Sequence, residues 1–275
     1  MTKQNLPKHA ELHAQFDAIG LPPYHVGGGH LSQKEENRTR MERALSWLER
    51  CEKCSANEID EQFLFLWISF NAAYGADEHL KKSAGDKKYR DRDKFITFLR
   101  LIGLRSQLIA KNAKDNTLVD LIHAHKDDLQ KITQSRFLFH DFWRAEYHRK
   151  LEEKWEEKLG KEVKRMNKAL QDVRSHADKG RAVGTVLEIA FSRLYTLRNQ
   201  IVHGGASWHD KYNRSSLRIC NAVLDPFLRA ILKTMLDVLE TKPDIDWGGK
   251  VAYPPFLRIP DSKTNRKPPN RPRPV

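Results

Sequence analysis

The sequence predicts an all-α protein, and three observations lead to this class. Apolar residues recur at three- and four-residue intervals along most of the 275 residues, whereas the alternating pattern of strands is rare. Ser32 and Glu35 have the spacing of a capping box, so a helix should open there. Gly75, and the pair Gly204 and Gly205, follow helical patterns at positions that favour helix ends.

The same periodicity predicts where the helices lie. In chain order they should cover residues 32–51, 58–74, 93–111, 117–133, 146–174, 183–202 and 215–240. In the second of these, the recurring aromatic side chains are expected in the core: Phe63, Trp67, Phe70 and Tyr74. Pro226 should kink or divide the last helix, because proline lacks the N–H of a helical hydrogen bond.

Composition divides the chain into three parts. A helical domain is expected over residues 31–240, with a charged helical insertion around 77–180, after a separate N-terminal segment, 1–30. Residues 241–275 are rich in proline and basic side chains and are predicted to be a disordered tail, because they cannot bury enough apolar surface to fold alone.

The charge balance favours a polyanionic partner. Lysine and arginine number 49 against 36 acidic residues, and the net charge of +13 is typical of proteins that bind RNA or DNA. The polar start and the lack of long apolar runs predict a cytoplasmic protein without membrane contact. Cys51 and Cys54 lack the second ligand pair of a zinc site, so no metal or cofactor is expected.

The strongest chemical signal is the stretch from Arg198 to Gly205, near the end of the 183–202 helix. His203 can exchange protons near neutral pH, and Arg198 carries a permanent charge suited to phosphate oxygens. Asn199 adds a donor and an acceptor. These are the groups that cleavage of RNA without a metal requires.

The spacing of Arg198 and His203 restricts how they meet. Five residues on an unbroken helix place two side chains roughly 140° apart, so they would not converge on one phosphate. Either the helix ends close to His203, or two copies of the chain assemble the site. Asn199 and His203 share a face in both cases.

At this point the sequence resembles the HEPN (higher eukaryotes and prokaryotes nucleotide-binding) family, whose motif is an arginine, four to six residues, and a histidine. Residues 198–203 match this motif, and residues 63–75 resemble the early helix of prokaryotic members. The resemblance implies a helical bundle that forms a homodimer with both motifs along one cleft. It also implies a metal-independent endoribonuclease, typical of toxins and antiviral effectors, restrained by an antitoxin or regulatory protein.

The resemblance also implies roles for individual residues. Arg198 would stabilise the scissile phosphate, His203 would transfer protons and Asn199 would orient both, while Asn71 would face the same cleft. Some members are silenced by modification of a tyrosine two positions after the histidine, but Gly205 stands there. That mode of antitoxin control is therefore not expected.

The loop after the motif adds candidate RNA contacts. Trp208 and Tyr212 could stack on bases, and His209 and Arg214 could bind phosphate. Alternatively, these side chains fasten the loop to the bundle. Two other functions stay open for the whole chain. One is a catalytically inactive HEPN module that binds RNA or a protein partner, and the other is a helical assembly subunit whose charge serves solubility.

Overall fold

The structure is a computed structural model that describes residues 6–23, 31–75, 91–110, 117–147, 154–175, 179–209, 211 and 213–251. Within these ranges the chain is helical and forms no strand, which confirms the predicted all-α class. The helices are α1 (His9–Ile19), α2 (Gln33–Glu52), α3 (Ile59–Tyr74), α4 (Asp91–Ala110), α5 (Thr117–Ala124), α6 (Lys126–Gln134), α7 (His140–Tyr147), α8 (Trp155–Ser175), α9 (Lys179–Val202) and α10 (Arg214–Thr241).

Several local signals are confirmed at the predicted residues. Ser32 and Glu35 form the capping box at the start of α2, with both reciprocal hydrogen bonds present. The helix α3 ends at Tyr74, and its predicted aromatic residues are buried. Pro226 lies inside α10, which continues as one helix through it, so this helix is not divided.

Two of the predicted helices differ from the observed ones. The 117–133 stretch divides at His125, which leaves the helical conformation and packs its ring 6.0 Å from that of Phe227 on α10. The 146–174 stretch is interrupted before α8, where Lys154 is not helical. Trp155, the first residue of α8, packs edge-on to Phe142 of α7, with ring centroids 5.1 Å apart. Contacts between distant residues thus override the local helical pattern.

The helix α9, which carries the motif, is the centre of the bundle. Its most extensive contacts are with α4 and α8, which both lie within the 77–180 stretch. The crossing with α4 is very close, because a Cβ atom on Gly103 would lie 2.5 Å from the carbonyl oxygen of Gly180 and 2.5 Å from the N atom of Gly184. Glycine is therefore required at this crossing.

The helix α3 runs antiparallel to α9. The ring centroids of Trp67 and Tyr195 are 6.0 Å apart, and those of Phe70 and Phe191 are 4.5 Å apart. Residue numbers therefore rise along α3 in the direction in which they fall along α9. The motif at the end of α9 consequently lies near the beginning of α3.

Described residues on both sides of the predicted 31–240 domain pack on the bundle. At the N-terminal end, α1 buries Leu12 and Phe16 and packs on α2 and α10. At the C-terminal end, Trp247 is buried against Phe98, and Arg105 lies 4.4 Å above its ring. Residues 252–275, the rest of the predicted tail, lie outside the described residues.

A buried arginine holds this C-terminal segment in place. Arg40 on α2 donates hydrogen bonds to the carbonyl oxygens of Ala73, Gly75 and Gly249. Asn37, one turn earlier, donates to the carbonyl oxygens of Pro243 and Ile245. Asn37 and Arg40 are 206 to 209 residues away in sequence from their bonding partners in the segment after α10. Local sequence patterns therefore do not predict these contacts.

Candidate functional site

The motif lies where α9 ends, and the ending has the geometry of a Schellman motif. Gly204 has the left-handed φ of 74°, and its N–H donates to the carbonyl oxygen of Ile201. The N–H of Gly205 donates to the carbonyl oxygen of Gln200, with 2.6 Å between N and O. These are the two bonds of the motif, and they make His203 the capping residue. Its side chain is exposed at the end of the helix.

Arg198 and Asn199 form a local pair one turn before His203. Nη1 of Arg198 donates to Oδ1 of Asn199 over 2.9 Å, and the guanidinium lies 6.0 Å from the ring centroid of Tyr195. Nε of Arg198 is buried without a hydrogen-bond partner. Asn199 and Tyr195 therefore fix the orientation of the half-buried guanidinium of Arg198.

His203 is joined to this pair through the backbone. Its N–H donates to the carbonyl oxygen of Asn199 over 3.0 Å. Among the described residues, no side-chain contact links His203 with Arg198, as the 140° separation predicted. A single chain thus brings Arg198 and Asn199 together and leaves the imidazole exposed beside them.

Asn199 also lies on the rim of a cleft of about 480 Å³ between α9 and the helices around it. The cleft wall carries more positive than negative charge. Its cationic side chains are Arg92, Lys158, Lys161 and Arg193, and its acidic ones are Asp141 and Glu162. Because Tyr195 lines the cleft as well, both groups that hold the guanidinium of Arg198 belong to the cleft wall.

Arg193 is the most buried of these cations, with 2% of its side chain exposed. Its Nη2 lies 2.7 Å from Oε2 of Glu162, and its guanidinium lies 4.5 Å from the ring centroid of Phe139. Burial lowers the pKa of Arg193 to about 10, so the side chain stays charged at neutral pH. Its Nε has no hydrogen-bond partner.

The loop after the motif is fastened to the start of α3. Trp208 donates from Nε1 to Oε1 of Glu61 over 3.0 Å, while 72% of the residue stays exposed. Arg214 forms a largely buried ion pair with Asp60, 2.5 Å between Nη2 and Oδ2. The charge of Arg214 is therefore paired within the chain, and its contact with phosphate stays a prediction.

The other predicted loop contacts have different positions. His209 is exposed, has the left-handed φ of 57°, and packs its ring edge-on to Trp208 with centroids 4.0 Å apart. Trp208 and His209 thus present one accessible aromatic pair close to the motif. Tyr212 lies outside the described residues.

Asn71 does not lie near the motif within one chain. It follows Phe70, which packs at the level of Phe191, so it lies about two helical turns from Arg198 along the antiparallel pair. Its Oδ1 is buried without a hydrogen-bond partner. Within one chain, the opposite directions of α3 and α9 separate Asn71 from the motif, and its position in a cleft shared by two copies stays a prediction.

Other chemistries find little support in the residues that the structure describes. No group of three or more histidine, cysteine, aspartate or glutamate side chains there could hold a metal ion. Burial raises the pKa of Cys51 to about 12 and also raises that of Cys220, so neither thiol is a ready nucleophile. None of the described helices is long and apolar enough to cross a membrane.

No family model, curated protein or solved structure matches this chain.

Sequence reasoning missed the cleft, although one signal for it was present. Ser192, Thr196 and Asn199 recur at helical spacing and form a polar line along one face of helix α9. Ser192 and Thr196 are buried, which is unusual for a polar face and indicates a lined depression. Arg92 and Lys158 could not be placed there from sequence, because they come from helices far away in the chain.

Proposed function

We propose that this protein is a metal-independent endoribonuclease of the HEPN type, acting as a toxin or antiviral effector. The observation that carries the proposal is the end of α9, where an exposed His203 stands one turn after Asn199, which holds the Arg198 guanidinium. A proton-transfer group and a fixed cation thus occupy one helix end, beside a cationic cleft.

The chemistry needs no group from outside the chain. The 2′-oxygen of a ribose attacks the adjacent phosphorus as an imidazole takes the 2′-hydroxyl proton. The bond between phosphorus and the 5′-oxygen breaks, and a protonated imidazole gives a proton to that oxygen. The products are a 2′,3′-cyclic phosphate and a 5′-hydroxyl end. Arg198 stabilises the charge that develops on the phosphate oxygens.

A second copy of the chain completes the site in this proposal. Arg198 and His203 point about 140° apart on one helix, so the histidine of one copy would work with the arginine of the other. Two exposed apolar residues flank His203 and support such a contact: Val202, with 51% exposed, and Trp208. Homodimerisation would bury both.

The test is cleavage of total cellular RNA by purified protein in EDTA. We expect native protein to cut with cyclic phosphate ends, and His203→Ala to lose about a hundredfold or more of the rate, the usual range for a lost proton-transfer group. Arg198→Ala should lose a similar factor. Matched controls are Arg218→Ala and His13→Ala, exposed residues on α10 and α1, which should cut like the native chain.

Inert native protein, or equal cutting by all variants, would contradict the proposal. RNA binding without cut ends would instead favour the inactive HEPN module, and loss of both would favour an assembly subunit.

A further inference from the structure

We propose that the cleft beside α9 binds a phosphodiester group of the RNA strand next to the scissile one. The inference rests on the proposed function, because it assigns this cleft to the same substrate. It concerns residues outside the motif, chiefly Arg92, Lys158 and Arg193.

The first argument is the balance of charge in the cleft. Four cationic side chains face two carboxylates, and only part of the positive charge is neutralised. Lys158 pairs with Asp141, with 3.1 Å between Nζ and Oδ2, and Arg193 pairs with Glu162. Lys161 pairs with Glu157 on its own helix, with 2.7 Å between Nζ and Oε1. Among the residues that the structure describes, Arg92 has no carboxylate partner, and it donates a 3.4 Å hydrogen bond to the hydroxyl of Ser192. The excess attracts an anion.

The second argument is the presence of buried donors without acceptors. Nε of Arg193 and Nε of Arg92 are both buried and unbonded, and both side chains line the cleft. A buried donor left unpaired costs free energy, so a native structure with two in one depression indicates a missing acceptor. Phosphate oxygens suit guanidinium groups better than most other acceptors, because they accept from the planar fork of N–H groups.

The third argument is the connection to the motif. Asn199 lines the cleft and also accepts a hydrogen bond from Arg198. A strand whose scissile phosphate lies at Arg198 would therefore have its neighbouring phosphate within reach of the cleft. The volume of about 480 Å³ is in the range of clefts that hold ligands of nucleotide size.

The test is binding of a fluorescent 2′-O-methyl RNA oligonucleotide, which lacks the attacking hydroxyl and cannot be cut. We expect Arg92→Gln to weaken the Kd about tenfold, the usual effect of one charged hydrogen bond, and to reduce the slope of log K against log salt by roughly 0.7. Lys158→Gln, a half-exposed position that folding should tolerate, should act in the same direction. Lys164→Gln removes the same charge from an exposed position of α8 outside the cleft and should have little effect.

The outcomes separate this inference from the proposed function. If the Arg92 and Lys158 variants bind like the Lys164 control, or if native protein does not bind the oligonucleotide, the inference fails even where RNA is cut. If native protein binds through Arg92 but never cuts RNA, the inference stands and the proposed nuclease fails. Competition by adenosine 5′-monophosphate at equal phosphate concentration would overturn the assignment to RNA, because the cleft would then be a site for a free nucleotide.

Discussion

A few residues determine the pKa of Asp246, a carboxyl group in the segment that follows α10. Asp246 accepts hydrogen bonds from the N–H groups of Gly248 and Gly249, 2.8 and 2.9 Å away, and both glycines have φ values near or above 100°. Burial alone raises the pKa of this carboxyl. The N–H bonds from Gly249 and Gly248, with the guanidinium groups of Arg40 and Arg105, outweigh burial and hold the pKa below its ordinary value of 3.8.

A pH-dependent contribution to stability follows from this carboxylate. A group whose pKa is lowered by folding stabilises the protein above its unfolded pKa and loses that contribution as the pH falls through the folded pKa. Asp246→Asn should therefore unfold at a lower temperature than the native chain at pH 7, and the difference should shrink as the pH falls below about 3.8. Thermal melts at a series of pH values measure this.

The matched control for this prediction is Asp244→Asn, an exposed position two residues earlier. Its melting temperature should differ little from that of the native chain at every pH. A pH-independent gap between Asp246→Asn and the native chain would show that the carboxylate charge contributes nothing.

At the scale of the elements, the position of the motif depends on how closely α4 and α9 approach. Gly103 is in contact with the backbone of Gly180 and Gly184, and backbone atoms cannot rotate away from an added methyl group. Gly103→Ala should destabilise the protein by about 1–3 kcal/mol, the usual cost of overpacking, and separate α9 from α4. Urea unfolding followed by circular dichroism measures the change in free energy of unfolding.

The chain contains its own control for this substitution. Gly160 lies inside α8 with nothing within 4 Å of the Cβ it would gain. Gly160→Ala should raise the free energy of unfolding by about 0.5–1 kcal/mol, since alanine favours a helix over glycine. Equal changes in the free energy of unfolding of both variants would mean that the crossing of α4 and α9 does not require glycine at position 103.

The helix ends and the core aromatics were predictable because their causes are local. A capping box, a glycine after a periodic stretch, and aromatic residues at helical spacing each act within a few residues of the chain. The Schellman ending at His203 belongs to this class. By contrast, the meeting of Arg92 with α9, and the direction of α3 that removes Asn71 from the motif, depend on tertiary packing that no single-sequence pattern records.

For the molecule as a whole, residues that follow α10 contribute to the core. Trp247 is buried with 1% of its surface exposed, and Arg40, whose pKa burial lowers to about 10, bonds the carbonyl oxygen of Gly249. A chain ending at residue 241 would lose Trp247, and Arg40 would lose its hydrogen bond to the carbonyl oxygen of Gly249. We expect a loss of about 3 kcal/mol or more, the usual cost of removing a buried aromatic residue.

A chain ending at residue 260 is the comparison for this truncation, since it lacks the basic, proline-rich residues 261–275 and keeps Trp247. It should unfold at the same urea concentration as the full chain. If the chain ending at 241 does so as well, the C-terminal segment adds nothing to the stability of the bundle.

The two ends of α3 contact different parts of the molecule: one lies near the motif and the other near the segment that follows α10. The first turn of α3 holds the loop of Trp208 through Glu61. At its last turn, the carbonyl oxygen of Ala73 accepts a hydrogen bond from Arg40, which also donates to the carbonyl oxygen of Gly249. The sixteen residues of α3 separate these two points by roughly 24 Å. The described chain therefore finishes at the pole opposite His203. A chain attached to a sensor surface through a cysteine introduced at the exposed Lys250 would present the motif outward, so RNA association could be followed without blocking the face under test.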